Sequence, residues 1–139
     1  MTENAAVRMP LRVRYHECDG QGIVFNANYL AYVDMATFDL SKELFGTHAK
    51  LLETGFDMVV AESNVRYLAG CHFDDELMVN GYLTHLGRTS MIFDFEIRRG
   101  EELVTEVKNR YVWVRTDTLR PAPPPDHVRE IFAARLTRS

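Results

Sequence analysis

"NANYLAYVDMATFDLSKELFG", residues 26–46, decides how the rest of the chain must fold. From Ala27 to Phe45 the pattern is helical: Leu30, Val33, Thr37, Leu40 and Leu44 recur at helix spacing. Met35, Ala36 and Phe38 fall off that stripe, and between Tyr29 and Leu40 only Asp34, Thr37 and Asp39 are polar apart from two tyrosine hydroxyls. A helix apolar around so much of its circumference needs other structure wrapped about it. Gly46 supplies a stop.

The wrapping material lies on both sides. Upstream, "LRVRYHE" (11–17) alternates apolar and polar and predicts a strand, which "CDGQGIVFN" then breaks with two glycines. Downstream come four extended stretches, 56–68, 75–86, 90–99 and 103–116. In "SMIFDFEIRR", Met91, Phe93, Phe95 and Ile97 face one way and Ile92, Asp94, Glu96 and Arg98 the other. "GEE" (100–102) is a tight hairpin connection, so the last three stretches form an antiparallel meander. "RPAPPP" (120–125) cannot continue a ladder, because proline lacks the donor. A short helix, 126–136, follows, with Asp126 as its cap. Strand, buried helix and four strands make an α+β fold, a twisted antiparallel sheet curled around one central helix. One sheet cannot enclose such a helix, so a second subunit is expected, joined by edge pairing that continues the sheet.

Length and composition fit a single domain over 1–139, with an N-terminal arm over about 1–9 and a Pro-rich segment plus helix over about 117–139. Apolar content of 46% and charged content of 26% are those of a soluble globular chain. A net charge of -4 argues against non-specific nucleic-acid binding. Cys18 and Cys71 are too few for a disulfide scaffold, and no signal-peptide pattern or bilayer-length apolar run is present, so a cytoplasmic protein without a membrane span is expected.

Asp19 leads the residues that can carry chemistry. It sits beside Gly20 and Gly22, after a strand and before the buried helix. A helix start offers free N–H groups and a positive dipole end, which polarise a carbonyl oxygen. A carboxylate beside it can attack the carbonyl carbon or activate water. The competing reading of Asp19 is a loop residue closing an Asx-turn. Asn26 and Asn28 both suit a helix cap; the functional reading of Asn26 concerns its backbone N–H. Arg88, in the "HLGRTS" turn (85–90), can bind a phosphate or merely be solvated. His16, His48, His72, His85 and His127 lack ligand spacing, and Cys71-His72 near Asp74 and Asp75 does not supply it, so no metal is expected. GxSxG, GxGxxG and GxxxxGK[ST] are absent. Tyr67, Tyr82, Phe93, Phe95 and Trp113 serve either the core or an acyl pocket.

"VRYHECDGQGIVFNANYLAYVDMA" (13–36) resembles the signature of the 4-hydroxybenzoyl-CoA thioesterase family of hotdog-fold proteins. Tyr15, Asp19, Gly22, Ile23, Val24, Asn28 and Tyr29 supply the pattern without a gap, and a coarser likeness continues to about residue 125. The resemblance implies a hotdog fold, an antiparallel sheet of about five strands around one long helix. It implies a homodimer or a dimer of dimers (a homotetramer), with active sites between subunits. The implied activity is hydrolysis of an acyl-CoA thioester to acid and CoA, with coenzyme A as part of the substrate and no separate cofactor. Asp19 matches the catalytic carboxylate, with Gly22 in the same loop, and the Asn26 backbone N–H matches the oxyanion donor. Arg88, Thr89, Ser90 and Tyr29 fall at substrate and CoA contacts. Position 26 is asparagine where many relatives carry histidine or tyrosine, a change that a backbone role survives. Two other expectations differ in class: an acyl-carrier-protein thioesterase, and a non-catalytic acyl-CoA-binding hotdog module.

Overall fold

The computed structural model describes residues 4–137. β1 (Val7–Arg12) is followed by a single 3-10 turn, Tyr15–Glu17, and by α1 (Asn28–Phe45), α2 (His48–Leu52), β2 (Phe56–Tyr67), β3 (Glu76–Leu86), β4 (Ser90–Arg99), β5 (Glu102–Arg115) and α3 (Asp126–Ala133). The strands form one antiparallel sheet in the order β1-β3-β4-β5-β2. The architecture is the expected α+β one, and β3, β4 and β5 are the expected meander. No helix among the described residues is long and apolar enough to cross a membrane.

Alternation decides the sheet's two faces. Met91, Phe93, Phe95 and Ile97 of β4 point inward and are at most 1% exposed. α1 lies against this face through Tyr29, Tyr32, Val33, Ala36 and Leu40, all buried. α1 ends at Gly46, whose φ of 89° is left-handed and whose N–H returns to the Lys42 carbonyl at 2.8 Å. Phe132 of α3 closes one end of the core, its ring 5.4 Å from Trp113 and 6.0 Å from Phe45.

The structure differs from the sequence expectations at three places. The first strand is Val7–Arg12, not 11–17, so residues 7–9 of the expected arm belong to the sheet. Residues 15–17 instead turn, because Glu17 reaches back to the Arg14 N–H at 2.8 Å. Pro121 does lie in an antiparallel bridge, with Val114; its donors are the N–H groups of Arg115 and Ala122, so the proline nitrogen is not needed. Pro125, not Asp126, is the N-cap of α3, and Asp126 is the first helical residue, where its charge suits the dipole.

Gly81 is the most tightly enclosed of the glycines. A Cβ there would lie 2.8 Å from Phe95 Cε1 and 2.9 Å from Val7 Cγ1. Gly81→Val is therefore expected to lower stability by about 1–3 kcal/mol through overpacking, read as a shift of the urea midpoint.

Candidate active site

Asp19 opens a short hairpin that delivers the chain to α1. Cys18 and Val24 form an isolated bridge, the Asp19 N–H donates to the Ile23 carbonyl at 2.8 Å, and Phe25 N–H to the Glu17 carbonyl at 2.9 Å. Gly22, with φ of 80°, makes the turn in a conformation that a side chain would strain. The Asx-turn reading of Asp19 holds: its Oδ1 accepts the Gln21 N–H at 2.8 Å, while Oδ2 has no partner among the described residues.

Asn26 and Ala27 end the hairpin at the mouth of α1. Their N–H groups meet no acceptor among the described residues, as the first residues of a helix require. The N-cap is Ala27, without a side-chain bond, so neither asparagine caps α1. Asn28 Nδ2 instead donates to the Glu17 carbonyl at 2.8 Å. The Asn26 carbonyl accepts the Tyr67 hydroxyl at 3.1 Å, which ties the end of β2 to the helix mouth.

Glu17, for which composition suggests no role, is the hub of this loop. Its Oε1 accepts both the Arg14 N–H at 2.8 Å and the buried Tyr32 hydroxyl at 2.9 Å. Burial, then the Glu17 carboxylate, push the Tyr32 hydroxyl well above its ordinary pKa. Tyr29, expected at the substrate, is a core residue 3% exposed, its ring 5.7 Å from those of Tyr32 and Tyr67.

A second clamp lies behind the hairpin. Ile23 bridges His72, and the Val24 N–H donates to the Cys71 carbonyl at 2.8 Å. Arg99 holds that segment by donating to the Gly70 carbonyl at 3.0 Å and Asp75 Oδ2 at 2.9 Å, with Glu102 at 2.7 Å on its other nitrogen. The pairing spends the Asp75 carboxylate on structure.

The "HLGRTS" turn is built separately. Trp113 N–H donates to the Thr89 carbonyl at 2.8 Å, and Arg129 of α3 donates to the carbonyls of Leu86 and Gly87 at 3.2 and 3.4 Å. Arg88 is exposed, with no ion pair among the described residues. The turn and Asp19 do not meet within one chain. Arg12 pairs with Glu76 at the Asp19 end of β3 and Leu86 with Met91 at the other, so the ten steps of β3 separate them by about 33 Å.

One polar chain is absent from the sequence reading. Ser63 Oγ donates to Asn109 Oδ1 at 2.6 Å, Asn109 Nδ2 donates to the Tyr111 hydroxyl at 3.1 Å, and that hydroxyl shares a proton with Thr37 Oγ1 at 2.9 Å. The signal was an asparagine at an inward position of β5, between Val107 and Tyr111. Near it a cavity of about 220 Å³ opens between α1 and β2, lined by residues that include Asp34, Thr37, Phe38, His48 and Tyr111. Partial burial raises the Asp34 pKa.

One antiparallel sheet with a single long helix on its inner face is the hotdog arrangement. The thioesterase superfamily pattern matches residues 21–106, and the chain belongs to that superfamily. Acyl-CoA thioester hydrolase YbgC of Escherichia coli O6:H1 is 27% identical over 122 residues, 87% of this chain and 91% of that protein. The PA5185 protein of Pseudomonas aeruginosa superposes with a TM-score of 0.86 at 21% identity, covering 99% of this chain and 96% of that one. DHNA-CoA thioesterase from Staphylococcus aureus gives 0.84 at 20% identity over 92% and 89%.

The clamp predicts a pH signature. Partial burial pushes the Asp75 carboxyl up, but the His72 N–H and the Arg99 guanidinium outweigh it and hold the group below its usual range. A depressed carboxyl stabilises the fold above its unfolded value, about 4, and that contribution is lost as pH falls through the folded value. Asp75→Asn should thus be less stable than wild type at neutral pH, with the gap closing below about pH 4 in urea titrations.

Proposed function

We propose that the protein hydrolyses acyl-CoA thioesters, with Asp19 as the catalytic carboxylate and the Asn26 backbone N–H as the oxyanion donor. The observation that carries this reading is the hairpin itself. It holds a carboxylate with one uncommitted oxygen and an unpaired N–H at a helix mouth on the two ends of an eight-residue stretch, 19–26. Asp19 Oδ1 is fixed by Gln21, so Oδ2 is the oxygen that acts. It either adds to the thioester carbonyl or takes a proton from the water that does. The carbonyl oxygen gains charge towards the Asn26 N–H. The CoA thiolate then leaves and takes up a proton, a departure easy enough to need no serine–histidine pair; on the direct route water then hydrolyses the Asp19 acyl anhydride, releasing the acid and restoring the carboxylate.

Two copies complete the site. β2 is an edge strand, and Val59 and Val60 on it are 41% and 43% exposed, beside Met35 and Phe38 of α1 at 50% and 48%. The Tyr67 end of β2 lies at Asn26, and the Phe56 end pairs with Arg115 near the Arg88 turn. Antiparallel pairing of β2 with a copy of itself therefore brings one subunit's Arg88, Thr89 and Ser90 towards the other's Asp19. The same pairing turns the Asp34–Tyr111 cavity of one copy towards the hairpin of the other. Its hydroxyls and aromatic rings favour an aryl acyl group bearing a polar substituent, the finer reading that the 4-hydroxybenzoyl-CoA resemblance suggests. A dimer is the minimum assembly, and a dimer of dimers retains the same sites.

Asp19→Asn is expected to lower kcat on the order of 100-fold or more with KM little changed, measured by thiol release from acyl-CoA. Near wild-type turnover in that variant would remove Asp19 from the mechanism. Arg88→Ala should raise KM for acyl-CoA but not for a truncated pantetheine thioester. Mixed dimers of Asp19→Asn and Arg88→Ala subunits contain one intact site. They should regain wild-type KM; if they do not, both groups come from one subunit.

A further inference from the structure

The sheet's outer face, turned away from α1, carries a groove that the proposed reaction does not use. It runs along β1 and β3, has a volume of about 690 Å³, and is lined by Arg8, Arg12, Arg14, Arg98, Glu76 and Asn80 with apolar residues between. Alternation puts Arg8, Pro10 and Arg12 of β1 outward, against Asn80, Met78 and Glu76 of β3.

The charges do not cancel evenly. Arg12 is held by Asp74 and Glu76, each at 3.2 Å, and Arg98 by Glu96 at 3.0 Å. Arg8 and Arg14 make no ion pair or side-chain hydrogen bond among the described residues. In a chain of net charge -4, two uncompensated guanidinium groups on one furrow form a local positive site.

Asn80 supplies the independent observation. It lines the groove and stands directly opposite Arg8 in the ladder, yet it is only 1% exposed, and neither Nδ2 nor Oδ1 has a partner among the described residues. A buried carboxamide with both ends unpaired costs about 1–3 kcal/mol for each group left unmade. The neighbour on its other side, Glu96, is engaged by Arg98 and does not relieve it.

We propose that this groove binds a phosphate-bearing ligand, with Arg8 and Asn80 gripping the phosphate and Arg14 adding charge at the far end. Nδ2 and Arg8 donate to phosphate oxygens. Oδ1 needs a donor, which hydrogen phosphate or a hydroxyl beside a phosphate supplies and a carboxylate does not. Arginine suits the role because its planar fork matches phosphate oxygens in pairs. The phosphate can belong to a soluble molecule or to a lipid headgroup.

The test follows the Asn80 side-chain amide resonances in the full-length, isotope-labelled protein. Titration with inorganic phosphate, and with glycerol 3-phosphate, should shift them saturably in the millimolar range, while acetate should not. Arg8→Gln should weaken the phosphate response by roughly tenfold or more. Arg88→Ala should leave it intact, which separates this groove from the proposed CoA site. Cosedimentation with phosphatidic acid vesicles, against phosphatidylcholine controls, assigns the source. Binding that Arg8→Gln abolishes indicates a headgroup; a phosphate response without vesicle binding indicates a soluble ligand. Asn80 resonances that ignore phosphate, or that respond equally in Arg8→Gln, overturn the proposal, and the wild-type titration alone suffices if that variant does not fold.

Discussion

The burial of α1 on one face of a single sheet is the constraint from which the other features follow. Its tyrosines, valine, alanine and leucine cannot meet water without losing the largest favourable contribution to folding. A flat sheet would leave gaps beside a helix, so the strands curl, and inward positions carry the volumes that fit: Phe93 and Phe95 under the helix, and no side chain at Gly81 where β1, β3 and Phe95 converge. The helix must also be delivered to one place and one angle. That duty falls on the fifteen-odd residues before it, and the proposed chemistry draws on the same residues.

Glu17 shows how delivery and chemistry are joined. One carboxylate oxygen ties the start of the 3-10 turn to Tyr32 on α1, and the carbonyl of the same residue receives Phe25 and Asn28. The hairpin between those anchors is therefore short and doubly fixed. Arg99 secures its far side through the 70–75 segment. Asp19 stands between two structural clamps, the fixed placement that the proposed catalytic role calls for.

Much of this was legible in the chain, for definite physical reasons. α1 is visible because its apolar pattern is long, and β4 because alternation over ten residues allows one reading. The first strand was misplaced because "LRVRYHE" alternates well, while the contact that bends it, Glu17 to Arg14, is three residues long and polar. The burial of the Tyr29 ring was hidden for a related reason: a motif position says that a residue matters, not which way its ring points. Asp19 stood out as a candidate because glycines and a helix start flank it. Arg99, Arg129 and Glu17 were beyond reach, since each works by holding a carbonyl or hydroxyl distant in sequence. The Arg8–Asn80 pair depends on strand register, which no local pattern encodes.

β2 carries an irregularity between Val60 and Glu62, where the ladder with β5 skips Ala61. A bulge bends its strand and increases local twist. A twelve-residue edge with exposed valines would otherwise be a template for any extended segment that drifted past. With the bend near its middle, a flat foreign strand can follow only half of the edge before its donors and acceptors fall out of step. A strand carrying the same bend keeps pace along the whole length. The skipped alanine thus works against open-ended fibre growth, and it is the bend that the proposed pairing of two such edges would have to share.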